Sequence, residues 1–535
     1  MSDTGHEEQG SPSFSRFSYA ACVLASIGVL RVLAHALFDR RPRYGGSEAS
    51  DLCNLMFHHY SLQGFFGWSF TEQLSQIGHK PPLYYGGLPW LLQGKDSLSY
   101  APLLGLNALA LGLLLFGCWR LGVRLGGERC GLFAVAVTVA LPAISGRSTI
   151  VGAELIQLAA LVWIFEFLVR LLTEESLRTS TAVQLGSVLG AALLVKWTLG
   201  VPLLLPAAVV CFHLARHPRP LRALRFLALA AVVAVALFSL WWFPFAELGS
   251  FASAAGGEAS TRADLGYSPW LYLPLWTLRQ GLGLGLLPLI VVCLLAWRGR
   301  TQRAVHSRDS SLLLLLLFAS VLSVFLVHSF IPHKEPRYTL LAMPGLGVLF
   351  SLCLHRVTAD RGPWLHRAAL LGLAALWWSS FVGPYFGDEG SHDAYSEQPL
   401  HGRVVTLDYG LEQLVRHSTF SDSQGSVVAY TLAGERWLEL RDLLSWEFYA
   451  RNTAPVISRL PAMPQVTEDE ASRSLDLATH FVTNRPLSAN EQSVLTSRGF
   501  SEVIATSLPL PDAADLRVWS RPRSLVSLEA SLGVR

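Results

Sequence analysis

This sequence predicts a polytopic α-helical membrane protein that carries a small α/β soluble domain at its carboxyl-terminal end. Three observations predict it. Of 535 residues, 51% are hydrophobic and only 15% charged, with a mean hydropathy of +0.38, whereas charges make up about a quarter of an ordinary globular chain. Apolar runs of bilayer-crossing length recur up to residue 386, as a chain of transmembrane helices requires. Beyond residue 388 those runs stop and short strand-like segments alternate with helical patterns.

Residues 1–16 are polar and acidic, and they predict a disordered amino terminus. They lack the basic start and cleavage site of a signal peptide, so the first apolar run, Phe17–Phe38, is expected to be an uncleaved anchor. Further runs fall at about 98–119, 129–146, 151–173, 182–197, 198–215, 222–243, 276–297, 311–331, 338–356 and 365–386, which makes eleven spans in a membrane unit over 17–387. The pair flanking Lys196 is the weakest, because Pro202 and Pro206 interrupt it. Between the first two runs lies a long segment, 39–97, rich in Phe65, Phe66, Trp68 and Phe70, which predicts helices lying on the membrane surface.

Orientation follows from the arginine bias of the short connections. Arg120, Arg124 and Arg129 follow the second span, and Arg216, Arg219, Arg222 and Arg225 follow the sixth. Arg298, Arg300, Arg303 and Arg308 follow the eighth, and Arg356, Arg361 and Arg367 the tenth. The even-numbered connections are therefore expected in the cytoplasm, together with the amino terminus. Arg40, Arg41 and Arg43 run against this assignment and are outweighed. An odd number of spans then places residues 388–535 outside. There, Val427–Thr431, Ala454–Ser458, Thr479–Thr483 and Leu516–Trp519 read as strands, between helical patterns at 433–450, 466–477 and 489–498.

The seven cysteines are scattered and form no C-x-x-C, so neither a disulfide framework nor a zinc site is supported. A net charge of +3 gives no reason to invoke nucleic acid. No ligand cluster argues for a divalent metal, metal dependence stays open, and no cofactor is called for by the pattern. His58 and His59 have no partner pattern for a metal, and the tryptophans at 241–242 and 377–378 read as interface belts.

With this topology, polar groups from five places reach the outer face. They are Glu48 and Asp51; His79, Lys80 and Tyr84; Arg147 with Glu154; Lys196; and the run His333, Lys334, Glu335, Pro336, Arg337, Tyr338. Ionisable groups so close to hydrocarbon are costly, and binding explains them better than solubility does. Three of the four lysines in the chain belong to this set. The chemistry is a carboxylate group beside a cationic one, acids to one side and bases to the other. Carboxylates suit a general base acting on an acceptor hydroxyl or amine, so Glu48, Asp51 and Glu154 are the catalytic candidates. Lysine and arginine suit a phosphate leaving group. Each group also has a plain alternative: solvated loop acids for Glu48 and Asp51, a snorkelling side chain for Lys196, and an interfacial anchor for 333–338. Arg31, inside the first span, is expected to pair with a carboxylate in the bundle.

The stretches His79-Lys80-Pro81-Pro82-Leu83-Tyr84-Tyr85, Leu141-Pro142 through Arg147 to Glu154, and Leu193-Leu194-Val195-Lys196-Trp197-Thr198 resemble the membrane core of bacterial relatives of the protein O-mannosyltransferases. That group includes the aminoarabinose transferase of lipid A and the Rgt-type lipopolysaccharide transferases. His333-Lys334-Glu335-Pro336-Arg337-Tyr338 is similar to the His-Lys-Glu-x-Arg signature of lipid-linked mannosyltransferases. Both are polyprenyl-phosphate-sugar enzymes of the GT-C class. The resemblance implies a GT-C fold and a glycosyltransferase that moves a sugar from a polyprenyl-phosphate donor to a glycolipid, glycan or protein acceptor on the extracytoplasmic face. It implies Glu48 or Asp51 as base, and His79, Lys80, Tyr84, Arg147, Lys196, His333, Lys334, Glu335, Arg337 and Tyr338 around the lipid phosphate and sugar. The family carries Asp-Glu or a single Asp where this chain has Ser47-Glu48, and Asp where it has Glu154.

Other classes stay open at this point. A lipid-linked glycan polymerase or ligase would use a diphosphate donor. A transporter would gather its polar groups near the midplane, with related halves, and a scaffold would leave the outer cluster without purpose. A bacterial inner membrane is expected rather than an endoplasmic reticulum membrane.

Overall fold

A computed structural model describes residues 15–38, 55, 82–85, 87–88, 101–149, 151–173, 178–216, 220–245, 277, 308–330, 336–359, 363–386, 428–431, 456–459, 479–483, 486–506 and 516–521. The helices run in the order α1 (Arg16–Phe38), α2 (Pro82–Tyr85), α3 (Ala101–Ala140), α4 (Pro142–Arg147), α5 (Glu154–Thr173) and α6 (Thr179–Val195). A 3-10 segment, Trp197–Leu203, leads into α7 (Leu204–Ala215) and α8 (Pro220–Phe245). After α9 (Arg308–Phe330), a second 3-10 segment, Pro336–Ala342, leads into α10 (Met343–Ala359) and α11 (Pro363–Phe386). Among the described residues, seven helices are long and apolar enough to cross a membrane, with Thr179–Val195 a shorter apolar helix. The chain is an α-helical polytopic membrane protein. The apolar run 276–297 lies outside the described residues, apart from Thr277.

One of the seven, α3, is two spans joined by a hairpin. Gly126 (φ −159°, ψ 22°) and Gly127 (φ 76°, ψ −176°) leave helical geometry, and the second is a conformation that only glycine holds cheaply. A Cβ placed on Gly122 would lie 2.8 Å from the Gly131 Cα. Along a straight helix those residues would be about 13 Å apart, so the chain turns back on itself. The expected pair of spans with a basic connection is thus present. The run expected over 129–146 is divided, however. Pro142 lacks an N–H and opens a new helix, α4, after Leu141.

Close approach sets the packing of α6 on α8. A Cβ on Gly186 would sit 2.4 Å from the Ala230 carbonyl oxygen, and one on Gly190 2.9 Å from that of Ala234. Small residues four apart let two helices touch backbone to backbone, the usual device inside a bilayer. A continuous core joins α1, α3, α5, α6, α9 and α10. On the outer surface, Leu30 (61% exposed), Leu221 (71%) and Phe318 (61%) point away from it, as side chains that face lipid must.

At one end of the bundle Glu166, with no exposed side-chain surface, meets three arginines. Arg120 Nη2 donates to Oε1 at 2.7 Å, Arg124 Nε to Oε2 at 2.7 Å, and Arg170 Nε lies 3.1 Å from Oε1. These pairs tie the first arm of α3 to α5. Arg120 and Arg124 therefore do more than mark a basic loop. Glu154 starts the same helix twelve residues earlier, about 18 Å away, so the two carboxylates define opposite ends of the bundle.

Beyond the helices, five strands form one mixed sheet in the order β2-β1-β3-β5-β4. They are β1 (Val428–Thr431), β2 (Val456–Arg459), β3 (His480–Thr483), β4 (Ser501–Thr506) and β5 (Leu516–Ser520). The first three pair in parallel, β1 with β2 and with β3, while β5 pairs antiparallel with both β3 and β4. Before β4 lies α12 (Ala489–Ser497), opened by a capping box in which Ser488 and Glu491 satisfy each other's backbone N–H. Strand β4 was not expected from the sequence. Its Ser-Glu-Val start is exposed and it closes one edge of the sheet, where polar residues blur the apolar alternation.

Candidate functional site

Three side chains predicted from separate stretches meet at the end of the bundle opposite Glu166. Arg147 occupies the last turn of α4, and Glu154 the first turn of α5. An acid in the first turn of a helix is favoured by the helix dipole. Lys196 is the residue at which α6 ends, in extended conformation with φ −164° and ψ 120°. Arg147 Nη2 donates to Glu154 Oε2 at 2.8 Å, and Lys196 Nζ donates to Glu154 Oε1 at 2.9 Å. Each carboxylate oxygen therefore holds one cation, and the trio carries a net charge of +1. Arg147 and Glu154 are buried, and Lys196 keeps 26% of its side chain exposed. The expected separation of acids from bases does not hold here: Glu154 sits between the two cations.

The chain around the trio is fitted to it. Gly152 has no room for a side chain, since a Cβ would lie 2.5 Å from Glu154 Oε2 and 2.9 Å from Arg147 Nη2. Asn107, buried in α3, donates from Nδ2 to the Ser148 carbonyl at 3.4 Å. Arg31 of α1 donates from Nη1 to Ser145 Oγ, so this span-one arginine braces α4. Gln157, one turn along α5 from Glu154, donates from Nε2 to the Lys196 carbonyl at 3.0 Å and to Thr198 Oγ1 at 3.2 Å.

Other predicted residues stand as follows. Tyr84 is buried, on a short helix that packs against α6. Arg337 and Tyr338 belong by their backbone to the 3-10 segment Pro336–Ala342, which packs against α5 and against Trp197–Leu203, directly after Lys196. Glu48, Asp51, His79, Lys80, His333, Lys334 and Glu335 lie outside the described residues. Among the described residues, no cluster of His, Cys, Asp or Glu could hold a metal ion. Sequence reasoning passed over Gln157 and Asn107. Their signal was present, as single amides in apolar helices, each buried against a partner on another part of the chain.

No protein-family model matches the sequence, and no curated protein does either. Comparison with solved structures is decisive about the fold. ArnT from Cupriavidus metallidurans bound to undecaprenyl phosphate superposes with a TM-score of 0.65 over 96% of this chain and 99% of that one, at 15% identity. The chain has the ArnT fold. The apo state of ArnT matches with a TM-score of 0.58, over 95% of this chain and 99% of that one at 14% identity. The apo oligosaccharyltransferase of Archaeoglobus fulgidus aligns at 0.46, with 11% identity over 89% and 70% of the two chains, which is too distant to build on. The ArnT likeness spans nearly the whole of both proteins, so the helical bundle and the sheet after it are compared together.

Proposed function

We propose that this protein is an integral-membrane glycosyltransferase that moves a sugar from a polyprenyl-phosphate donor to a lipid, glycan or protein acceptor on the extracytoplasmic face. One observation carries the reading. An Arg147–Glu154–Lys196 trio of net positive charge, its arginine and carboxylate buried and its lysine partly exposed, closes one end of a bundle that has the fold of a protein known bound to undecaprenyl phosphate. Fixed cations in a site with little water suit the charge that develops on a departing phosphate.

In this mechanism the acceptor hydroxyl or amine gives its proton to Glu48 or Asp51 and attacks the anomeric carbon. The bond from that carbon to the phosphate oxygen breaks, and its electron pair leaves with the lipid phosphate. Arg147 and Lys196 are assigned to the phosphate, with Lys80, Lys334 and Arg337 completing its shell, and Tyr84, His79, His333, Glu335 and Tyr338 placed around sugar and lipid. Glu154 is assigned the role of counter-ion rather than base, because both of its oxygens are engaged by cations. Its partners fix where the positive charge sits. The cytoplasmic placing of the Glu166 end and an inner-membrane location complete the proposal.

The test uses the purified protein with polyprenyl-monophosphate and polyprenyl-diphosphate sugars, with acceptors drawn from envelope lipids and proteins and products followed by mass spectrometry. Transfer is expected from the monophosphate donor and is expected to be lost in Glu48→Gln or Asp51→Asn. If both single changes and the double change leave transfer intact, the base assignment is wrong. Transfer from the diphosphate donor alone would replace this reading with a polymerase or ligase.

A further inference from the structure

We propose that Gln157 is the positioning residue of the phosphate site: it anchors the backbone of Lys196 to α5 so that the lysine's ammonium is presented at a fixed place beside Glu154. This rests on the reading above, in which Lys196 faces the lipid phosphate.

The geometry is a two-point attachment. α5 offers Glu154 and, three residues on, Gln157, which therefore lie on one face of the helix. Glu154 takes the Lys196 ammonium at 2.9 Å, and Gln157 takes the carbonyl of the same residue at 3.0 Å. A carbonyl can only accept, so the amide nitrogen of Gln157 must be the atom that faces it. That nitrogen also reaches Thr198 Oγ1 at 3.2 Å, which engages both of its N–H groups. Gln157 is 1% exposed, so water does not replace these bonds cheaply.

The Lys196 carbonyl also accepts the Leu199 N–H at 3.3 Å, and Gln157 adds the tie to α5 that this local bond does not supply. Lys196 ends α6 in an extended conformation, and the chain continues as a 3-10 segment that contains Pro202. Helix ends leave carbonyls without their intrahelical partners, and a lysine side chain on such a joint can swing through many rotamers. Holding the joint at both ends removes that freedom before the lipid phosphate arrives. Pre-organisation of this kind raises affinity by lowering the ordering cost of binding.

The experiment measures binding of undecaprenyl phosphate to full-length protein in detergent, together with KM and kcat for a polyprenyl-phosphate sugar. Wild type is compared with Gln157→Leu, the isosteric Gln157→Glu, Lys196→Ala and the double variant Gln157→Leu/Lys196→Ala. Losing the two buried donors is expected to weaken lipid-phosphate binding roughly three- to tenfold, with kcat falling as well, because Lys196 meets the charge that develops on the leaving phosphate. In the Lys196→Ala background the same change is expected to do nothing further, because Gln157 acts through Lys196. If Lys196→Ala weakens binding and the Gln157 variants do not, the positioning role is wrong while the phosphate reading stands. If Lys196→Ala leaves binding unchanged, the phosphate reading itself fails. Additive losses in the double variant would make Gln157 an independent packing residue and overturn the proposal. Should Gln157→Leu fail to fold, Gln157→Glu carries the comparison, since it keeps the shape and presents an acceptor to the carbonyl.

Discussion

Replacing Glu154 with glutamine should weaken the bundle far more than a surface substitution does. The carboxylate holds Arg147 at 2.8 Å and Lys196 at 2.9 Å on its two oxygens, which places the two cations within roughly 8 Å of each other once the width of a carboxylate is allowed for. With the acid neutral, their mutual repulsion at an effective dielectric of about 20 is about 2 kcal/mol. The lost attraction comes on top of this, and breaking a buried pair by removing one partner costs about 3–5 kcal/mol. Lys196 is 26% exposed, so solvent takes up part of the imbalance and the net loss is expected near 3 kcal/mol. Thermal unfolding in detergent, followed by tryptophan fluorescence, should show Tm lower by about 3 °C. Undecaprenyl phosphate should then raise Tm more in Glu154→Gln than in wild type, because a phosphate can take the place of the missing anion between the cations. An unfolding temperature equal to that of wild type would refute the account of the trio.

Two further outcomes follow from the same geometry. Gly152→Ala puts a methyl group 2.5 Å from Glu154 Oε2 and 2.9 Å from Arg147 Nη2, so the pair must part; a loss of about 1–3 kcal/mol is expected, read as a lower Tm together with weaker undecaprenyl phosphate binding. Glu166→Gln leaves Arg120, Arg124 and Arg170, each partly exposed, facing one another around a buried position that no longer carries a charge. Stability should fall by about 3 kcal/mol, measured by the same unfolding assay, while lipid-phosphate binding by the folded fraction stays at its wild-type value because the proposed phosphate site lies about 18 Å along α5.

Several of these features were legible in the residues. Two apolar runs parted by Arg120, Arg124 and Arg129 announced the hairpin inside α3. Pro202 announced the break after Lys196. Ionisable residues in apolar surroundings announced Arg147, Glu154 and Lys196 before any contact was known, since hydrocarbon tolerates them only where a partner waits. Glu166 carried the same signal and was passed over, because the arginines that meet it were read as orientation marks for a loop. Strand β4 was missed for the reason edge strands usually are: Ser501, Glu502 and Val503 are exposed and its pattern is mixed.

Composition and periodicity alone determined that the chain is a helical membrane protein and which polar residues stand out against the apolar background. These are local properties, governed by the cost of placing each side chain in hydrocarbon or water. Which of the outlying charges touch, and in what order, was decided only by the tertiary structure. Glu154 lies between its cations rather than apart from them because α4, α5 and the end of α6 converge there, with Gln157 beneath. That convergence depends on how helices distant in the chain pack, and no spacing along the sequence encodes it.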